Sequence, residues 1–303
     1  MDSSMKNTIE NCFSWHNSPE NAFGAPALME REGYWDEIDL HDDDDLEALM
    51  ELAMRSMRMG DTPNADFVEY LVSKGFDINT RLPGVDCLVL QCADSWLGPK
   101  VVQRLADLGA DVYAENSAGD NILILAAKKE YPPKEEPQRG ALALYVAEHF
   151  DLARLDKTDR FGITPLMYAA LQDHPLLAKA LLAHGADVNA AGAKPVGANS
   201  YWLEMDGVTP LALACRRGSP EMVRMLLDAG ADEAIRDVRG RPAIFSLLRY
   251  PFNFFRGSSY NHPIFQRKCE IVGMLRELEL TDAEGYTVLM RSLQDSPDLF
   301  DKA

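Results

Sequence analysis

The chain has 303 residues, 47% of them hydrophobic, with 48 Asp+Glu against 30 Lys+Arg for a formal net charge of −18. That excess argues against a nucleic-acid binder, which needs Lys and Arg to neutralise phosphates, and against docking on anionic membranes. Five irregularly spaced cysteines, no Sec-type leader and no long apolar run point to a cytoplasmic chain without a disulfide framework or a membrane span.

Residues 1–50 hold 13 acids and two bases, a segment of −11. Residues 1–44 mix those acids with Phe13, Trp15, Tyr34 and Trp35. Two readings stand: a cap whose rings cover the end of the structure that follows, or an acidic patch for a basic partner. Asp42-Asp43-Asp44-Asp45 precedes a helix expected from Asp45 to about Met57, with Leu46, Leu49, Met50, Ala53 and Met57 on its apolar face. Carboxylates suit the positive end of such a helix. The pattern D-x-D-x-D-G of a calcium loop lacks its glycine.

Beyond residue 80 six segments align on a glycine: Gly84, Gly119, Gly162, Gly207, Gly240 and Gly285, spaced by 35, 43, 45, 33 and 45 residues. A second mark recurs as Gly75-Phe-Asp77, Gly109-Ala-Asp111, Gly185-Ala-Asp187 and Gly230-Ala-Asp232. A third is a proline ten residues before that glycine, at Pro99, Pro175 and Pro220. Each mark has a physical meaning. In Thr164-Pro165-Leu166 and Thr209-Pro210-Leu211 the threonine caps a helix, and proline in the first turn costs no hydrogen bond. Small residues at Ala127, Ala170 and Cys215 admit a neighbouring helix. Leu181, Leu182, Leu226 and Leu227 give the second helix its apolar face. Gly185 and Gly230 then supply the left-handed residue past its end.

The unit is therefore helix–turn–helix plus an extended turn, and it resembles the ankyrin repeat, whose period is 33 residues and whose first helix opens T-P-L-H-x-A. Residues 206–235 match best and 159–190 nearly as well. Met167 and Ala212 stand in place of the family histidine. The resemblance implies an all-α ankyrin-repeat solenoid over 45–303, in about seven units: 45–80, 81–116, 117–157, 158–205, 206–237, 238–281 and a truncated 282–303. Two or three of these are degenerate or capping: both ends qualify as caps, and the repeats at Gly84, Gly119, Gly240 and Gly285 have lost Thr-Pro or Gly-Ala-Asp marks.

Three insertions interrupt the array: within Ala190–Glu204, around Tyr131–Gly140, and at Pro251–Gln266. Loops of this kind in a solenoid often map to the binding face, and exposed aromatic residues dominate interface energetics. The expected partner contacts are therefore Tyr113, Glu115, Asp159, Arg160, Phe161, Arg236 and Asp237 in the turns, Tyr201, Trp202, Glu204 and Asp206 in the long turn, and Phe254, Phe255 and Tyr260 in the phenylalanine-rich loop. For the aromatic loops the alternative is local packing onto the array.

No H-E-x-x-H, G-x-S-x-G, Walker A or G-x-G-x-x-G motif occurs. Cys92 and Cys215 fall on small-residue packing positions, and His184 sits at a helix end. The expectation is a non-enzymatic, monomeric binding protein without cofactor or metal, gripping one folded and basic protein. Its sharpest form is an immunity or antitoxin-like inhibitor. The alternatives are an adaptor or secreted effector acting on a host protein, and a metal- or thiol-dependent enzyme using Cys12, His16 or Asp42–Asp45.

Overall fold

A computed structural model describes residues 5–7, 24–58, 65–94, 97–128, 141–192, 207–249 and 263–275. Two compact units divide the chain, Met1–Ser117 and Ala118–Ala303. Among the described residues there are helices and isolated β-bridges, such as Leu82 with Val85 and Arg236 with Pro242, but no strand.

The first unit contains α1 (Gly24–Arg31), a 3₁₀ turn (Tyr34–Glu37), α2 (Asp43–Arg58), α3 (Asp66–Ser73), α4 (Leu88–Asp94) and α5 (Pro99–Asp107). α2 opens two residues before the expected start because Asp42 is its cap: the Asp45 N–H donates to Asp42 Oδ1 at 3.0 Å. The acidic run is thus used locally, and buried Asp45 accepts the Asp39 N–H on its own carboxylate at 2.8 Å. Leu49, Met50, Leu52, Ala53 and Met57 are fully buried, whereas Leu46 stays half-buried. α2 packs on α3 and α4, and α4 on α5. Ahead of these pairs, α1 lies on α3. Tyr70 donates to Glu30 at 3.2 Å, Lys74 pairs with the same carboxylate, and Trp35 meets the Tyr70 ring edge-on at 6.0 Å. Burial and the Glu30 charge push the Tyr70 phenol up to about 12. Residues 24–37 are therefore ordered against the helix pair that follows them; Phe13 and Trp15 lie outside the described residues.

The second unit contains α6 (Ile122–Lys128), α7 (Ala141–His149), the one-turn α8 (Leu152–Leu155), α9 (Pro165–Gln172), α10 (Pro175–Ala183), α11 (Pro210–Arg217), α12 (Pro220–Asp228), a 3₁₀ helix (Ala243–Arg249) and α13 (Pro263–Met274). These form two rows. Helices α6, α9, α11 and the 3₁₀ helix pack side by side in one, and α7, α10, α12 and α13 in the other. Each first helix also packs on its successor, α6 on α7, α9 on α10 and α11 on α12. The first row is nearly all core, with Leu166, Ala169, Ala170, Leu211, Leu213, Ala214 and Cys215 fully buried.

Local chemistry explains these boundaries. Thr164 caps α9, Thr209 caps α11 and Ser219 caps α12, each hydroxyl accepting a backbone N–H three residues on at 3.2, 3.3 and 3.4 Å. In the repeat at Gly119, which lacks Thr-Pro, Asn121 takes that place, its side-chain oxygen accepting the Ile124 N–H at 3.0 Å. α3, α5, α10 and α12 end alike: Phe76, Ala110, Ala186 and Ala231 each donate to the carbonyl five residues back, around left-handed Gly75, Gly109, Gly185 and Gly230. The segment after Gly240 tightens into a 3₁₀ helix instead of the expected α-helix. Pro242 comes one position early there, no threonine caps it, and Phe245 donates to the Pro242 carbonyl only three residues back.

Candidate protein-interaction surface

Two of the turns that precede a first-row helix are held by aspartates, and the way each is held decides which side chains face outward. In the turn before α9, Asp159 is buried. Its Oδ1 accepts the N–H groups of Phe161 and Ile163 at 2.8 and 2.9 Å, and its Oδ2 accepts the Tyr168 hydroxyl at 2.7 Å. Lys128 at the end of α6 completes the cluster, 2.8 Å from Asp120 and 3.3 Å from Asp159. Burial and the Asp159 charge drive the Tyr168 phenol far above its ordinary range. Asp159 therefore serves the interior of the turn, contrary to its expected role as a partner contact. A lone buried carboxylate is costly, and the turn is built to satisfy this one. The family histidine position is Met167, but the residue beside it, Tyr168, supplies the bond that ties helix to turn. Arg160 remains exposed, its guanidinium 4.6 Å from the centre of the half-buried Phe161 ring.

The turn before the 3₁₀ helix repeats the device. Asp237 Oδ1 accepts the N–H groups of Arg239 and Arg241, both at 2.9 Å, and Oδ2 takes the Arg241 guanidinium in a fork at 2.9 and 2.6 Å. Asp237 is thus also occupied internally, while Arg236, Val238 and Arg239 are exposed. Val238, at 58% exposure, is one of two large apolar side chains left in water, with Leu176, among the described residues.

Neighbouring turns are tied together. Asn189 donates to the Gly230 carbonyl at 3.2 Å and accepts the Asp232 N–H at 2.8 Å. Asn79 does the same in the first unit, donating to Gly109 at 3.1 Å and accepting from Asp111 at 2.7 Å. Gly207 lies against the Asp237 turn so closely that a Cβ on it would stand 2.9 Å from the Asp237 Cα. The expected contacts Tyr113 and Glu115 are half-buried in the first unit, in a turn where the Tyr113 N–H donates to Asp111 and Arg81 donates to the Glu115 carbonyl at 2.6 Å. Tyr201, Trp202, Glu204, Asp206, Phe254, Phe255 and Tyr260 lie outside the described residues, as do Cys12 and His16. The asparagine clips were readable as a repeated Gly-x-Asp-x-Asn, at Gly75–Asn79 and Gly185–Asn189.

Three of the five thiols are described, and these are packing groups. Cys87, Cys92 and Cys215 are buried, and desolvation pushes each up, Cys215 to about 12. They are protonated at neutral pH, so none offers the thiolate that nucleophilic chemistry requires. His184 sits at its helix end, with Nδ1 2.8 Å from the Ala180 carbonyl oxygen. Charge divides unequally. Residues 1–117 hold 23 acids against 8 bases, net −15, and residues 118–303 hold 25 against 22, net −3. No described helix is long and apolar enough to cross a membrane.

The family model described as ankyrin repeats (3 copies) matches residues 89–192 and 138–237. Inversin of Gallus gallus is 37% identical over 93 residues, 24% of this chain and 8% of that protein. Palmitoyltransferase AKR1 of Lachancea kluyveri is 28% identical over 198 residues, 64% of this chain and 24% of its own length. Transient receptor potential cation channel subfamily V member 5 of Oryctolagus cuniculus is 32% identical over 128 residues, 39% of this chain and 18% of its own. The chain thus spans less than a quarter of the length of these relatives. Among solved structures, the ankyrin repeat domain of Bcl-3, described as a unique member of the IkappaB protein family, superposes with a TM-score of 0.54 at 19% identity, covering 81% of this chain and 91% of that one. Paired helices closed by left-handed glycines, capped Thr-Pro starts and a matching family model make this chain an ankyrin-repeat protein.

Proposed function

We propose that this chain is a non-enzymatic scaffold that binds one folded, basic protein and works by covering that partner's functional surface. The ankyrin fold makes it a protein–protein interaction module. The finer reading rests on charge: a net −15 gathered in the first 117 residues attracts a cationic partner and speeds encounter. The turns of the second unit hold outward Arg160, Arg236 and Arg239, which suit acidic positions on that partner's surface and disfavour a cationic one there. Buried, protonated thiols and an acidic run committed to capping α2 fit a scaffold better than an enzyme. An immunity-type inhibitor, in which covering the partner abolishes its activity, is the narrow form of this proposal.

The test is capture by the tagged full-length chain from a native lysate at low salt, followed by 1:1 reconstitution with the purified captured protein. The expected result is a basic partner, released by about 0.5 M salt as screening shortens the range of charge attraction, whose own activity falls as the complex forms. An acidic partner, or a basic one whose activity is untouched in the saturated complex, would overturn the proposal.

A further inference from the structure

Two turns of the second unit leave an arginine open. Arg160 stands in the turn before α9 and Arg239 in the turn before the 3₁₀ helix; both are exposed, and neither has a carboxylate partner among the described residues. In the first unit, by contrast, Lys6, Arg31, Lys74 and Arg104 each sit on a glutamate, and Arg81 on a backbone carbonyl. The acids nearest to the two open arginines in sequence are already used. Asp159 is filled by two amides and the Tyr168 hydroxyl, and Asp237 by two amides and the Arg241 fork. Each open arginine stands beside an apolar side chain. Phe161 is half-buried and Val238 is 58% exposed, so each turn offers a cation and an apolar surface together, as Arg160-Phe161 and as Val238-Arg239. Both turns are also braced. The Asp159 N–H donates to the Ile163 carbonyl and the Asp237 N–H to the Arg241 carbonyl, each at 3.0 Å, while Gly162 and Gly240 close the turns on the Asp159 and Asp237 carbonyls at 2.9 and 2.8 Å. A surface ordered in advance loses little freedom on binding. α9 and the 3₁₀ helix both pack on α11, which lies between them. At a helix spacing of about 8–10 Å the two turns stand about 16–20 Å apart, the length of about five or six extended residues.

We infer that these two turns form one docking surface for an extended acidic segment of a partner protein, which sets one carboxylate on Arg160 and another on Arg239, with an apolar side chain beside each, against Phe161 and Val238. The chemistry of the pair selects that occupant. A guanidinium takes a carboxylate through two parallel hydrogen bonds, and an apolar neighbour that excludes water strengthens the charge contact beside it. A lysine-bearing segment would be repelled at both turns. The inference does not depend on the basic-partner reading, which rests on the charge of the first unit.

A synthetic peptide with two Glu-Leu pairs about five residues apart in a Gly-Ser background, titrated into the full-length protein and followed by heteronuclear NMR, tests it. At about 150 mM salt, where the charge of the first unit is screened beyond about 8 Å, the shifts should saturate and centre on residues 160–161 and 238–239. Arg160→Glu/Arg239→Glu should weaken binding at least tenfold. Lys179→Glu/Arg217→Glu makes the same change of charge at exposed positions, on α10 and at the far end of α11, and should stay within threefold of the unaltered protein. Val238→Ser, which leaves the charge alone, should weaken binding at least threefold. Thermal melts check that each variant is folded; if the first pair melts early, Arg160→Gln/Arg239→Gln replaces it, with at least a fivefold loss expected. Equal losses from both glutamate pairs, or no loss from Val238→Ser, would overturn the assignment. Equal binding of a single-stranded oligothymidine, lost in the same variants, would overturn the choice of a peptide. Failure of the unaltered protein to bind the Glu-Leu peptide would overturn the docking surface while leaving the basic-partner reading, which the capture experiment tests, in place.

Discussion

Asp159 is where fold and recognition are most easily confused, and Asp159→Ala separates them. The carboxylate accepts two backbone N–H groups and the Tyr168 hydroxyl, and it shares Lys128 with Asp120. Removing it strands the buried hydroxyl and at least one buried amide. Lys128, partly in water and still paired with Asp120, loses little. Two orphaned donors at about 1–3 kcal/mol each, offset by partial access of water to the Phe161 amide, give a loss of about 3–4 kcal/mol. For a unit of this size that lowers the melting temperature by roughly 6–16 °C. Tyr168→Phe should cost about 1–2 kcal/mol. The double variant should cost about 1–2 kcal/mol less than the sum, because the stranded hydroxyl is gone. Urea unfolding followed by circular dichroism measures all three. Additive losses within about 0.5 kcal/mol would show that the two side chains do not act as one. Arg160→Ala, one residue away and exposed, should leave the melting curve within about 0.5 kcal/mol of the unaltered protein.

Three further changes probe the turns. Gly207→Ala forces a Cβ to 2.9 Å from the Asp237 backbone at a φ of +73° and should destabilise by about 1–2 kcal/mol or more; hydrogen exchange should show the loss at the Asp237 turn as well as at 207. Asp173 is the one described non-glycine residue with positive φ, at 59°, where the matching helix end carries Gly218. Asp173→Gly should therefore stabilise by about 0.5–1 kcal/mol in thermal melts. Burial, with a smaller contribution from the Asp187 charge, raises the pKa of Asp156. Folding thus favours its protonated form, so whatever stability it contributes is present below the ordinary aspartate value of 3.8 and lost as pH rises through the higher folded value. Asp156→Asn should stabilise the protein at pH 7, with the advantage gone by about pH 3 in parallel urea titrations.

Much of the frame was legible because its marks are backbone chemistry. Thr164, Thr209 and Ser219 cap because their hydroxyls reach an amide three residues on, and Gly75, Gly109, Gly185 and Gly230 close helices because no other residue takes that φ as freely. Such rules act over a few residues and can be read from a string. Asp159 could not be read that way, because its fate depends on Lys128, 31 positions earlier, and Tyr168 on the next helix. A charged turn residue looks the same in sequence whether it faces water or folds inward. The same holds for the 3₁₀ helix after Gly240, where a one-position shift of proline and a missing threonine undo a pattern that otherwise keeps phase. The candidate surface is hardest of all, since the exposed position in each turn is the one that no packing rule constrains.

The inward aspartates carry a consequence for change over generations. In both turns one residue is committed to shape, and its neighbours Arg160, Val238 and Arg239 point away from that duty. Changes at those neighbours should therefore cost the fold little, so that, on the proposed binding reading, recognition can change separately from shape. Randomising 160, 238 and 239 together, with Asp159 and Asp237 kept, should give a library whose members mostly fold and differ in what they hold.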